Sequence, residues 1–244
     1  MIRRPVFNPR TVAREIPGLF EAVLPQLTPG VVSAFNRGSQ HSTCQPVPEA
    51  DVAACKLQHA MLFELAFAVG EMLIEDGEVD WTICLEIAIG RQRRHFDAKI
   101  PSDVPEHDKG VALHVGENLA SMLRELAQSS PDQIVSSPSV PGFQWIASGN
   151  GDFSIGPRLI EVKCAGRNFT APDYRQLTMY WLLSYARAIE TDGPEWQEGI
   201  LLNPRTAKYV NFRFDDLLRI VGAGRTKADI LALFASLIST RGGT

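Results

Sequence analysis

The chain is short of cysteine, of positive charge and of long apolar runs, and each shortage removes a class of protein. Its cysteines, Cys44, Cys55, Cys84 and Cys164, are scattered without CxxC spacing. Neither a disulfide framework nor a thiolate zinc site is indicated, and the thiols are expected to be reduced. No run of about eighteen apolar residues occurs, and MIRRPVFNPR carries two arginines but no apolar h-region; the expectation is a soluble, cytoplasmic protein without membrane contact. With 24 Lys and Arg against 28 Asp and Glu the formal net charge is -4, whereas nucleic-acid-binding domains are commonly basic. No GxxxxGK[ST] phosphate loop is present, so no ATPase activity is expected. Internal repeats and low-complexity segments are also missing.

What is present is enough apolar material for a core: 45% of 244 residues are hydrophobic. Residues 1 to about 46 mix short helical candidates with Pro and Gly breaks, and Asn36 to Thr43 reads as an exposed loop. From Pro48 to Glu75 the spacing of Leu57, Met61, Leu62, Leu65 and Val69 predicts helix. His59 and Glu64 within it read as surface or boundary residues. Val79 to Ile89 alternates apolar and polar residues and predicts a half-buried strand. The basic cluster Arg91-Gln92-Arg93-Arg94-His95 is either a solvated loop or a track for a phosphate backbone, with Arg91, Arg93 and Arg94 as the contacts. Ile100 to Lys109 reads as a linker. A helix from Gly110 follows, then strands over Asp132–Val140, Phe143–Ala147 and Leu159–Lys163, and a helix opened by Pro172 with Asp173 as its capping acid. Two late strands, Gly199–Leu202 and Tyr209–Phe214, precede helices near Asp215–Val221 and Thr226–Leu237.

The chemistry concentrates between Gly149 and Tyr180. Side chains alternate along a strand, so Glu161 and Lys163 share one face and Ile160 and Val162 the other. The turn Ser148-Gly149-Asn150-Gly151 folds the chain back so that Asp152 lies beside Glu161. Two carboxylates held close repel, and a hard divalent cation, Mg2+ above all, keeps both ionised. Such an ion binds phosphate oxygens, while a neighbouring Lys orients the attacking water; the chemistry this suits is phosphodiester hydrolysis.

Asp152 with Glu161-Val162-Lys163 resembles the D…(D/E)xK signature of the PD-(D/E)xK, or restriction-endonuclease-like, nuclease superfamily. Gln176-Leu177-Thr178-Met179-Tyr180 is similar to the QxxxY motif of its RecB-like and lambda-exonuclease-like branch. Gly149 to Asp152 fits that branch's GxxD, and Gly110 to His114 its Gly-x-x-x-His, with Glu117 one turn later. The resemblance implies an αβββαβ core with a mixed sheet flanked by helices over residues 110–244, and leaves residues 1–109 as a mainly helical extension with one strand. It also implies a DNA-cleaving enzyme of repair, recombination, CRISPR adaptation or phage defence. Mg2+ or Mn2+ would be held by Asp152, Glu161 and the Val162 carbonyl with His114 or Glu117, Lys163 would position water, Gln176 would bond the active-site region, and Tyr180 or Arg175 would touch phosphate. Some relatives hold an iron-sulfur cluster on one upstream and three downstream cysteines; no cysteine follows Cys164, so none is expected here.

Two other readings stay open at this level. One is a nuclease-fold protein that only binds nucleic acid or assembles with a helicase or other partner through residues 1–109, with homo-oligomerisation undecided. The other is a plain α/β domain in which Glu161 and Lys163 form a surface ion pair worth roughly 0 to 1 kcal/mol. For Tyr180, a core aromatic among Trp181, Leu182 and Tyr185 competes with a phosphate contact.

Overall fold

The computed structural model describes residues 7–75, 77–93, 100–128 and 130–241. In chain order its elements are helices α1 (Pro9–Glu15), α2 (Leu19–Val23) and α3 (Pro29–Arg37), strand β1 (Gln40–His41), and helices α4 (Glu49–Ala53), α5 (His59–Glu75), α6 (Trp81–Gln92) and α7 (Glu106–Ala127). Strands β2 (Ile134–Ser136), β3 (Ser139–Val140), β4 (Gly149–Asn150), β5 (Phe153–Ile155) and β6 (Arg158–Val162) follow. Helix α8 (Ala171–Thr191), strands β7 (Glu198–Asn203) and β8 (Lys208–Arg213), and helices α9 (Phe214–Val221) and α10 (Lys227–Arg241) complete the fold. No helix among the described residues is long and apolar enough to cross a membrane.

The fold is α/β, with a mixed six-stranded sheet in the order β1-β8-β7-β6-β5-β2 between helices. Strand β6 pairs antiparallel with β5 and parallel with β7, and α8 makes the crossover between the two parallel strands. Alternation sorts the apolar residues between two faces. Ile160, Val162, Ile200 and Leu202 pack with Leu119 and Leu123 of α7 and Phe67 of α5. Leu159 and Leu201 pack on the other side with Leu177 and Trp181 of α8.

Apolar clusters and the main sheet draw residues from both sides of the expected boundary near residue 109. Val12, Leu19, Phe20 and Val23 belong to the same apolar cluster as α8 and α10, and β1 pairs with β8 at the edge of the main sheet. Among the described residues the strand of the N-terminal half is this short β1, inside the tract read as an exposed loop.

Val79–Ile89, read as a strand, is helical from Trp81 on, within α6. Asp80 caps it, its carboxylate accepting from the Thr82 and Ile83 amides at 2.8 and 3.2 Å. The buried residues are Cys84, Ala88 and Gln92, four apart on the supposed polar face, while Ile83 is 46% exposed. Small side chains let α6 lie close on α5, and that packing overrides the two-residue alternation. Likewise Phe143–Ala147 is a tight turn: Phe143 and Ile146 exchange backbone hydrogen bonds of 3.0 and 2.9 Å across Gln144, whose φ is 53°. The Trp145 indole is anchored on the Ile238 carbonyl at 2.6 Å. The strand expected over Asp132–Val140 breaks at Ser137, also at φ 53°, into β2 and β3. The linker ends early, because α7 starts at Glu106.

Helices α5 and α7 approach closely at Gly70 and Gly116, where side chains of the facing helix, Leu119 and Val69, fill the space a Cβ would take. A Cβ on Gly116 would stand 2.5 Å from Val69 Cγ1 and 3.0 Å from the Gly70 amide nitrogen. Gly116→Ala should therefore destabilise by about 1–3 kcal/mol through overpacking, against the stabilisation of up to about 1 kcal/mol that helix propensity alone would give. Urea unfolding measures the sign; a more stable variant would refute the close packing.

Candidate active site

A cavity of about 750 Å³ opens at the end of β6, walled by residues of α1, α5, the strand end and the Ala165–Phe169 loop. Strand β5 sets Phe153 opposite Ile160, so the residue before it, Asp152, reaches the end of β6. There its Oδ2 accepts the Val162 amide at 2.7 Å. Glu161 and Lys163 point to one face, as strand alternation requires, and their side chains join at 2.6 Å.

Helix α8 completes the arrangement. Thr170 and Asp173 form its capping box, the Asp173 carboxylate accepting from the Thr170 amide and hydroxyl at 2.8 and 2.7 Å. This fixes the first turn, from which Gln176 reaches the strand. Its amide nitrogen donates to Glu161 Oε1 at 2.6 Å and to the Tyr180 hydroxyl at 3.0 Å. Its carbonyl oxygen accepts from Lys163 Nζ at 3.1 Å and from Arg14 Nη1 at 3.0 Å. All four hydrogen-bonding positions of the amide are used, which leaves one orientation.

The Glu161–Lys163 pair is not on the surface: the two side chains are 3% and 15% exposed. Breaking such a pair by removing one partner costs about 3–5 kcal/mol, because the other charge is left desolvated. Glu161 Oε2 is buried with no hydrogen-bond partner among the described residues. Burial, and then the Glu161 charge, push the Asp152 carboxyl up to about 8, with Lys163 and Arg10 pulling the other way. One carboxylate oxygen lacks a partner and its neighbour resists ionising; both are features that a cation would relieve.

Among the described residues no group of three or more His, Cys, Asp or Glu side chains gathers closely enough to hold a metal ion. At the strand end the carboxylates beside each other are Asp152 and Glu161, next to Val162. His114 and Glu117 are not brought to the cavity. His114 Nε2 lies 3.2 Å from the Gln45 carbonyl, and Glu117 is exposed. Helix α5 reaches the cavity instead, through His59, Phe63, Glu64 and Phe67. The sequence offered one signal for this, since His59 and Glu64 lie on a mostly apolar helix.

Tyr180 is 5% exposed and packs in the core of α8. It does not line the cavity, and its hydroxyl holds Gln176 rather than a phosphate. Burial, followed by the Glu161 and Asp152 charges, pushes its phenol well above its usual range. Arg175 pairs with Glu21 at 3.0 Å, away from the cavity. Arg91 does line it, pairing with Glu71 at 2.6 Å and lying over the Phe67 ring. Arg93 is exposed and not part of the lining, and Arg94 lies outside the described residues. Arg10 and Arg14 of α1 and Arg167 after β6, none of them an expected site residue, also line the cavity. No local motif marks them.

No protein-family model matches the chain, and no curated protein matches it.

The raised Asp152 carboxyl makes stability depend on pH. An unfolded Asp titrates near 4, so between about 4 and 8 the folded chain binds a proton that the unfolded chain has lost. Its contribution is full below about 4 and disappears as the pH rises toward 8. The melting temperature of metal-free protein should fall from pH 5 to pH 8, and Asp152→Asn should flatten that slope. A wild-type profile as flat as the variant's would contradict the assignment.

Proposed function

We propose that this chain is a metal-dependent nuclease that hydrolyses DNA phosphodiester bonds. The observation that carries the reading is Glu161 Oε2, an unpartnered oxygen of a buried carboxylate beside the second carboxylate, Asp152. An unsatisfied buried polar group costs about 1–3 kcal/mol, and more when charged. Magnesium, a hard cation that takes oxygen ligands and keeps several waters, suits a donor set of two carboxylates and a carbonyl. Asp152, Glu161 and the Val162 carbonyl would hold Mg2+ or Mn2+, which when bound polarises a phosphoryl oxygen and acidifies water.

The chain's own residues supply the rest. Lys163 Nζ, held by Glu161 and Gln176, is a fixed cation that orients the attacking water and offsets charge building on the phosphate. Gln176 keeps Glu161 and Lys163 in register, and Tyr180 keeps Gln176 in place. These are positioning roles. The order α7, then β2, β5 and β6, then α8 and β7, apart from the small β3–β4 sheet, supports an αβββαβ core of the restriction-endonuclease-like kind with a RecB-like QxxxY helix.

Purified protein incubated with end-labelled linear, nicked-circular and single-stranded DNA should cut with Mg2+ or Mn2+ and not in EDTA. Asp152→Asn, Glu161→Gln and Lys163→Ala should each lower the rate at least a hundredfold while retaining the wild-type circular dichroism spectrum. Mg2+ should raise the wild-type melting temperature and leave that of Asp152→Asn unchanged. A protein of the same fold that only binds nucleic acid or docks a helicase would show neither cutting nor that rise.

A further inference from the structure

The cations around the cavity divide into two kinds. Arg14 is engaged by Asp173 and Gln176, Arg91 by Glu71, and Lys163 by Glu161. Arg10 and Arg167 also line the cavity, are exposed, and make no ion pair among the described residues. On a chain of net charge -4, two unpaired guanidinium groups face one concave site.

Both sit on fixed backbone. Arg10 lies in the first turn of α1, where the helix dipole disfavours a cation and no acid offsets it. Its position is thus locally unfavourable, as residues that serve a site commonly are. Arg167 is carried by a loop pinned at both ends: Asn203 Nδ2 donates to the Ala165 carbonyl at 2.7 Å, and Asn36 Nδ2 to the Phe169 carbonyl at 2.8 Å. Between them Gly166 lies under the Arg205–Glu49 ion pair, where a Cβ would stand 3.0 Å from the guanidinium.

Across the cavity, α5 contributes the half-buried ring of Phe63, set edge-to-face on Phe67 at 5.9 Å between centroids. Fixed guanidinium groups that track phosphates, joined to an aromatic surface for a base, are the means by which single strands are held. The volume of about 750 Å³ falls within the roughly 300–1,000 Å³ typical of pockets that enclose small ligands. A space of that size has room for single nucleotides but does not enclose a length of duplex.

We propose that the cavity takes a single DNA strand, its phosphates held by Arg10 and Arg167 and a base laid against Phe63. The inference rests on the nuclease reading of the site and specifies the form in which its substrate enters.

Binding in EDTA, where no metal chemistry operates, tests it with the full chain. Fluorescence anisotropy of a labelled oligo(dT) and of a blunt duplex of equal length is measured across a salt series. The strand should bind at least tenfold tighter than the duplex. The double variant Arg10→Ala, Arg167→Ala should weaken strand binding at least tenfold and reduce the salt slope by about 1.4, given about 0.7 for each phosphate contact on a single strand. Phe63→Leu, which keeps apolar volume but removes the ring, should weaken binding severalfold without altering the slope. Equal affinity for strand and duplex, no binding at all, or a double variant that binds like wild type would overturn the proposal. Strand binding without any cleavage on adding Mg2+ would instead overturn the nuclease reading and leave this inference standing. Cleavage that the double variant does not change would overturn this inference alone.

Discussion

Glu161, Lys163 and the Gln176 amide leave water together, and the rest of the site depends on how that is made tolerable. A buried carboxylate and ammonium are costly unless each is paired and hydrogen-bonded in good geometry. Here the 2.6 Å contact between them is braced by an amide that donates to one and accepts from the other. That amide has no freedom to turn, because Tyr180 and Arg14 take its remaining positions. Among the described residues, the atom of this network left without a partner is Glu161 Oε2. The network is thus complete except at that oxygen.

The scaffold supports this network from both sides of the sheet. On one side α8 must lie at a fixed height along β6, and its capping box and buried ring of Trp181 hold it there. On the other, α5 is drawn down by the Gly70 and Gly116 contact with α7, which brings His59, Phe63 and Glu64 over the strand end. Helix α1 closes the third wall, and its Arg14 reaches both Asp173 and Gln176. The N-terminal residues are therefore part of the site rather than an appendage to it.

Legibility in the sequence followed the range of the interaction. The strand carrying Glu161 and Lys163, the helix carrying Gln176 and Tyr180, and the return of Asp152 to Glu161 are set by neighbours within a few residues or one turn, and each could be read. Helix α6 could not: its alternating Ile and Leu residues mimic a strand, and only the burial of Cys84 and Ala88 against α5 decides for helix. The turn at Gln144 was likewise hidden: it goes with a positive φ and with the anchoring of Trp145 on α10, a contact distant in the chain. His114 and Glu117 of α7 lie outside the cavity lining, to which α5 contributes His59, Phe63, Glu64 and Phe67; which helix reaches the strand end depends on packing that no local motif records.

By itself the sequence determined which chemical groups are available and the local order in which they come: two carboxylates, a lysine, and an amide four residues before a tyrosine. Strand and helix periodicity are properties of the backbone, so those placements needed no distant contact. Only the tertiary structure decided that Glu161 and Lys163 are buried, that Arg10, Arg14 and Arg167 line one cavity, and that Tyr180 braces an amide rather than facing solvent. Burial and convergence arise from residues far apart in the chain. No local pattern encodes them, because they exist only once the sheet, α1, α5 and α8 have closed around the same point.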